Sequence, residues 1–276
     1  MADRLVLRQT LRYDYASPIA RLDHHLMVLP PARHGDQVRT VSSLEVRGTR
    51  PEVTETVDAF GNVAVRVRAS RVQACVEFVV HVAVQRSEGL GASAAAGDCG
   101  RLLAPSPLTE PDAVLGEVAS GLVDSGDSGI ALAERVNGWV AGALRYRHDV
   151  TGVHTTAAQA LAVGAGVCQD YAHVMLALCR LCRLPARYVS GHMVGEGGSH
   201  AWVEVLLPSA TDPSSMTTVA FDPTNDRRAG HTYLTVAVGR DYADVAPTHG
   251  TYCGPAGGRL STAKTLEHEA LELIPC

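Results

Sequence analysis

Gly164-Ala165-Gly166-Val167-Cys168-Gln169-Asp170-Tyr171-Ala172-His173 is the stretch whose reading decides the fold. Two glycines lead into a cysteine, and a long, largely apolar run follows until Pro185. The pattern predicts a glycine-rich loop opening a helix, with Cys168 in its first turn and an end near residue 183. A thiol there meets the positive end of the helix dipole, which favours the thiolate. The glycines let a substrate backbone come close. Ala172, Val174, Met175, Leu176, Leu178 and Leu181 make this helix apolar nearly all round, so it belongs at the centre of the fold.

Two further residues give the cysteine a context. His200 stands in Ser199-His200-Ala201-Trp202-Val203-Glu204-Val205, and Asp222 in Val219-Ala220-Phe221-Asp222-Pro223-Thr224-Asn225. Both runs are strand-like. Each residue alone has an ordinary reading: a small buried cysteine, one histidine among twelve, a turn-starting aspartate before proline. In this order they form the set that thiol nucleophilic catalysis needs. An asparagine at 222 should serve as a mild replacement, because an amide oxygen can accept the same bond from the histidine. His173, His192 and His231 are rival bases. His173 points away from Cys168 around the helix, and His192, at a strand end, is the second choice. Gln169, Tyr171, His192 and Trp202 are candidates for the walls of a substrate cleft.

Composition narrows the partners. The chain has 276 residues and a net charge of −5, with no strong run of either sign, which argues against nucleic acid or an anionic membrane surface. Lys264 is its only lysine. Residues 1–14 lack the apolar segment of a signal peptide, and no apolar run is long enough to span a bilayer. Seven cysteines at irregular spacing fit a reduced, cytoplasmic setting better than a disulfide framework. Cys179 and Cys182 form a Cys-x-x-Cys pair, but no second pair of ligands matches it. They read as core packing, and neither a metal nor another cofactor is expected. There is no phosphate loop or dinucleotide fingerprint.

Before the central helix the chain changes character once. Residues 4–15 alternate polar and apolar as a strand does, and more strand signals follow at 24–29, 37–46, 52–58, 62–70 and 72–85. Phe60-Gly61-Asn62 reads as a hairpin turn. Strands without helices over residues 1–88 predict a β-sandwich-like domain. Residues 89–111, rich in Gly, Ala and Pro, read as a linker. Residues 112–276 form the second domain. Helices are expected at 112–123, 128–146 and 156–163, then the Cys168 helix, then strands at 186–193, 201–207, 217–222 and 233–238. A short helix is expected over 266–273. The fold class is therefore α+β, with an antiparallel sheet packed on the nucleophile helix.

At these motifs the chain resembles the bacterial branch of the transglutaminase-like superfamily. Gly166-Val167-Cys168-Gln169-Asp170-Tyr171-Ala172-His173 is similar to that branch's nucleophile motif. Leu184-Pro185-Ala186-Arg187-Tyr188-Val189-Ser190-Gly191 is similar to the strand that follows it. The runs around His200 and Asp222 resemble its histidine and aspartate motifs. The β-rich first third, down to Asp58-Ala59-Phe60-Gly61-Asn62, resembles the domain that precedes the core in such proteins. The resemblance implies a papain-like mechanism: Cys168 attacks a carboxamide or peptide carbonyl, His200 protonates the leaving amine, and Asp222 orients His200. The acyl-enzyme passes to water or to an amine. The implied partner is a peptide, protein or small amide, with an amine as the possible acceptor. The alternative is a silent binding module that keeps the fold; the complete Cys/His/Asp set argues against it.

Overall fold

The structure is a computed structural model and describes residues 3–86, 93–95, 99–209, 215–255 and 257–270. Strands β1 (Asp3–Tyr15), β2 (Ile19–Leu29), β3 (Arg33–His34), β4 (Gln37–Arg47), β5 (Glu52–Val57), β6 (Val63–Val72) and β7 (Cys75–Arg86) come first. The short strand β8 (Ser93–Ala95) and helices α1 (Cys99–Leu103), α2 (Ala113–Val123) and α3 (Gly129–Ala143) follow. Next come β9 (Arg145–Tyr146), α4 (Ala157–Val163), β10 (Ala165–Gly166) and the central helix α5 (Cys168–Leu181). Strands β11 (Ala186–Met193), β12 (His200–Pro208), β13 (Ser215–Asp222), β14 (Arg227–Arg228) and β15 (Tyr233–Gly239) complete the second half, before α6 (Tyr242–Val245), β16 (Thr248–Cys253) and β17 (Gly258–Ala270).

The alternation of the first strands becomes a sandwich. One sheet runs β17-β1-β7-β4-β3 and the other β16-β2-β6-β5. Leu5, Leu7 and Leu11 from one sheet meet Leu22, Leu26 and Val67 from the other in a closed apolar layer. The core sheet runs β14-β13-β12-β11-β15, with β8 added on β13. Helix α5 lies across its face. Val174, Met175 and Leu178 pack with Tyr188, Ala201 and Val203, all but fully buried. This is the expected α+β arrangement.

Strand β15 is an edge of the core sheet, and two amides of the sandwich cover it. Asn62 Nδ2 donates to Val238 O at 2.7 Å while its Oδ1 accepts from Val238 N at 2.8 Å. Gln37 does the same with Thr235, at 2.8 and 2.9 Å. Each side chain mimics a strand's peptide group and satisfies a backbone pair that burial would otherwise orphan. The hairpin carrying Asn62 is fixed by Asp58, whose Oδ1 accepts from the backbone N–H of Phe60 and Asn62 at 2.8 and 2.9 Å.

Three expectations change. The short helix over 266–273 is a strand as far as Ala270: Leu266 pairs with Leu7 in β17–β1, and residues 271–276 lie outside the described residues. Arg4 and Arg8 on β1 meet Glu269 and Glu267 across that pair, so complementary charge and long-range pairing override local helix preference. The last two strands thus belong to the sandwich sheets, across the division drawn at 89–111. Within that stretch, residues 99–111 are packed rather than loose. Arg180 of α5, itself buried, donates to Leu102 O at 3.1 Å and also binds Ser106 and Thr109. Residues 89–92 and 96–98 of the expected linker lie outside the described residues. Finally, α3 stops at Ala143, because Leu144 is extended and leads into β9.

Candidate active site

The thiol is presented by the way α5 begins. Helix α4 starts on a capping box between Thr156 and Gln159 and ends at Gly164. Strand β10 then pairs in parallel with β9, and Val167 is still extended. Asp170, in the first turn of α5, reaches back: its Oδ2 accepts from Val167 N at 2.8 Å and from the Thr151 hydroxyl at 2.7 Å. A Cβ on Gly166 would fall 2.4 Å from that oxygen, so no side chain fits there. Cys168 is left partly exposed at the head of an otherwise buried helix.

His200 opens β12 and is 5 % exposed. Its Nε2 bonds Asp222 Oδ2 at 2.8 Å. Cys168 acts on the same ring, and with Nε2 committed to Asp222 the ring nitrogen left for the thiol is Nδ1. Burial pulls the His200 pKa down, but the hydrogen bonds to Asp222 and Cys168 and their charges outweigh it and carry the group up to about 9. Asp222 is fully buried. Burial pushes its pKa up, and the bonds from His200, Asn225 and Tyr233 prevail and hold it below the usual value. Oδ2 accepts from Asn225 Nδ2 and from the Tyr233 hydroxyl, both at 2.7 Å, while Oδ1 accepts from the backbone N–H of Thr224 at 3.0 Å and Asn225 at 3.3 Å. Arg227 Nε in turn donates to the Tyr233 hydroxyl at 2.9 Å.

The imidazole rests on an aromatic floor. Trp202 stacks beneath His200 with ring centroids 6.2 Å apart, and Tyr233 meets Trp202 edge-on at 5.3 Å. Gly191, the partner of His200 across β11–β12, leaves room for this: a Cβ there would come within 2.5 Å of the Trp202 ring. Two residues further along β12, Glu204 accepts from Arg187 at 2.7 Å and bonds His34 of the sandwich at 2.8 Å. The sandwich therefore grips the sheet behind the site at Glu204 and along β15.

Of the residues proposed from sequence, Cys168, His200 and Asp222 meet. His192 is buried on the wall of a cavity beside His200. Gln169 is nearly buried, its amide 3.4 Å from Gly152 O. Tyr171 and Trp202, expected on the cleft wall, are buried: Tyr171 bonds Leu144 O at 2.9 Å inside the helical core, and Trp202 supports His200 from below. Of the rival bases, His173 is fully buried with Nε2 accepting from Tyr242 N, and His231 is exposed. Cys179 and Cys182 pack in the core, where burial pushes both thiols up. Sequence reasoning missed Tyr233 and Arg227. Tyr233 opens a strand-like run, a position that gives no sign of a hydroxyl partner.

The bacterial transglutaminase-like N-terminal region matches residues 5–85, and the transglutaminase-like superfamily core matches residues 116–215. The chain belongs to the transglutaminase-like superfamily. That superfamily is one of thiol-dependent enzymes. Uncharacterized protein ML0607 of Mycobacterium leprae is 40 % identical over 126 residues, 42 % of each chain. Uncharacterized protein Rv2569c of Mycobacterium tuberculosis is 37 % identical over 116 residues, 38 % of this chain and 36 % of that one. The match thus spans less than half the length of these curated relatives. A crystal structure from Cytophaga hutchinsonii, described as a candidate cysteine protease, superposes with a TM-score of 0.80 over 100 % of this chain and 93 % of its own, at 20 % identity. That structure therefore shares the fold of both halves of the chain, a transglutaminase-like core with an N-terminal all-β region.

Proposed function

We propose that this protein is a thiol-dependent acyl-transfer enzyme acting on a carboxamide or peptide bond. The observation that carries the reading is the set Cys168–His200–Asp222, with His200 bonded to Asp222 and its pKa held high by Asp222 and Cys168 together. In this reading Cys168 Sγ attacks the carbonyl carbon as a thiolate paired with the His200 imidazolium. The tetrahedral oxyanion is met by the backbone N–H groups of Cys168 and Gln169, which precede the first bonded N–H of α5, that of Asp170. His200 then gives its proton to the leaving amine, and a thioester remains on Cys168. Water or an amine, deprotonated by neutral His200, attacks the thioester and restores the thiol pair. Asp222 holds the imidazole in one tautomer throughout.

The substrate is a peptide, protein or small amide, and the acceptor is water or an amine. A cytoplasmic setting belongs to the same proposal; it is supported by Cys75, Cys99, Cys168, Cys179, Cys182 and Cys253 all being unpaired.

The test is acyl-enzyme capture. Peptide and amide libraries are offered with and without added amines, the protein is quenched in acid, and its intact mass is read. A mass gain equal to the acyl part of the substrate on Cys168, absent in Cys168→Ala, is expected. Turnover that survives in Cys168→Ala would overturn the reading. Product mass then separates hydrolysis from transfer to the amine.

A further inference from the structure

A cavity of about 200 Å³ adjoins the catalytic set and is not used by it. It starts beside His200, since Ser199, the residue before it, and Gly191, its ladder partner on β11, both line it. Leu11, Met27, Val28 and Val236 give it a mostly apolar wall. Among the polar side chains that also line it are His192 from β11 and Lys264 from β17.

Neither has its chemistry satisfied by the fold. His192 is 4 % exposed, and its Nδ1 is buried with no hydrogen-bond partner. Burial keeps the ring neutral and its N–H is directed at the Gly198 backbone, so what Nδ1 offers the cavity is one bare lone pair. Lys264, the chain's only lysine, is half-buried. Its Nζ donates to Gly198 O at 2.6 Å, which leaves two N–H donors. Burial lowers its pKa, opposed by Glu196 at longer range. A half-buried ammonium beside an orphaned buried imidazole nitrogen calls for an anion that also makes hydrogen bonds. The apolar wall suits an anion carried on a short aliphatic stem.

We propose that this cavity is a substrate subsite for a carboxylate-bearing residue, its carboxylate held by Lys264 and its neighbouring N–H by the His192 lone pair, beside the carbonyl that Cys168 attacks. An acidic residue of a peptide supplies both a carboxylate and a neighbouring N–H; free glutamate shares that chemistry. The proposal rests on the reading of Cys168 as nucleophile.

Binding to the full-length Cys168→Ala protein tests it without turnover. Calorimetry compares an acetylated, amidated tetrapeptide containing one Glu with its Gln counterpart, and with free glutamate. The Glu peptide should bind about tenfold more tightly than the Gln peptide, as a charge-assisted pair implies. That preference should vanish in Lys264→Gln, persist in Lys264→Arg, and be accompanied by a shift of the His192 ring resonances. Free glutamate displacing the peptide would support the carboxylate site and assign it to a free acid. Equal affinity for the two peptides, no binding of either, or an unchanged preference in Lys264→Gln would overturn the subsite. Alkylation of Cys168 in the otherwise native chain is read alongside. A reactive Cys168 with no acid preference defeats the subsite alone, whereas an unreactive Cys168 defeats the reading beneath it.

Discussion

The Tyr233 hydroxyl donates to Asp222 Oδ2, the same oxygen that bonds His200 Nε2. One carboxylate oxygen thus ties the last ordered strand of the core sheet to the imidazole on β12. Arg227 sits behind the tyrosine and completes a line from the surface to the thiol. Tyr233→Phe removes two hydrogen bonds and no packing volume. It should lower kcat/KM by about tenfold through looser orientation of His200, with the fold kept. Steady-state kinetics beside a circular dichroism melt reads both; full activity would show that the tyrosine only fills space.

Asp222→Asn should cost more than the sequence alone suggested. Both carboxylate oxygens are acceptors, with three donors on one and two backbone N–H groups on the other. An amide has one acceptor, so its NH2 must face donors on one side. Activity should fall by about a hundredfold, and stability by about 1–3 kcal/mol for the buried mismatch. Urea unfolding and kinetics on one preparation check both numbers.

His200 sets an alkaline limit. Its folded-state pKa, about 9, lies above the ordinary 6.5. The imidazolium is therefore the resting form at neutral pH, and the rate should fall as pH rises through about 9. Linkage has the same sign. The stabilisation is fully present below 6.5 and is lost as pH climbs from there through about 9. Asp222→Asn removes the largest raising influence, so the kinetic limb should move to lower pH. A limb that stays in place would separate it from His200.

Asn62→Ala tests the grip of the sandwich on the core. It leaves the Val238 N–H and C=O buried and unpaired. The expected loss is about 2–4 kcal/mol in denaturant unfolding, far more than a surface amide contributes. A loss under about 0.5 kcal/mol would mean that water replaces the amide freely.

Much of this was legible in the chain because it depends on local chemistry. A glycine pair before a cysteine and an apolar run fixes the start of α5, and alternation fixes β1, β6 and the core strands. The order Cys168, His200, Asp222 carries the site. What stayed hidden depends on distant partners. Residues 258–270 become a strand because β1 offers Arg4 and Arg8 to Glu269 and Glu267. Residues 99–111 are ordered because Arg180 collects their polar groups. Tyr171 and Trp202 share the faces of Cys168 and His200, at i+3 and i+2, yet Tyr171 is buried against Leu144 and Trp202 beneath the imidazole, contacts made by distant partners.

The central claim is that Cys168 is activated by His200. Competitive alkylation tests it most directly. The native protein is treated with limiting iodoacetamide at neutral pH, digested and mapped by mass spectrometry, beside His200→Ala. Cys253 is exposed and serves as an internal reference thiol. The account predicts that Cys168 is modified well before Cys253 in the native protein, and that this lead is lost in His200→Ala. Alkylation of Cys253 first, or a Cys168 lead that survives in His200→Ala, would contradict it.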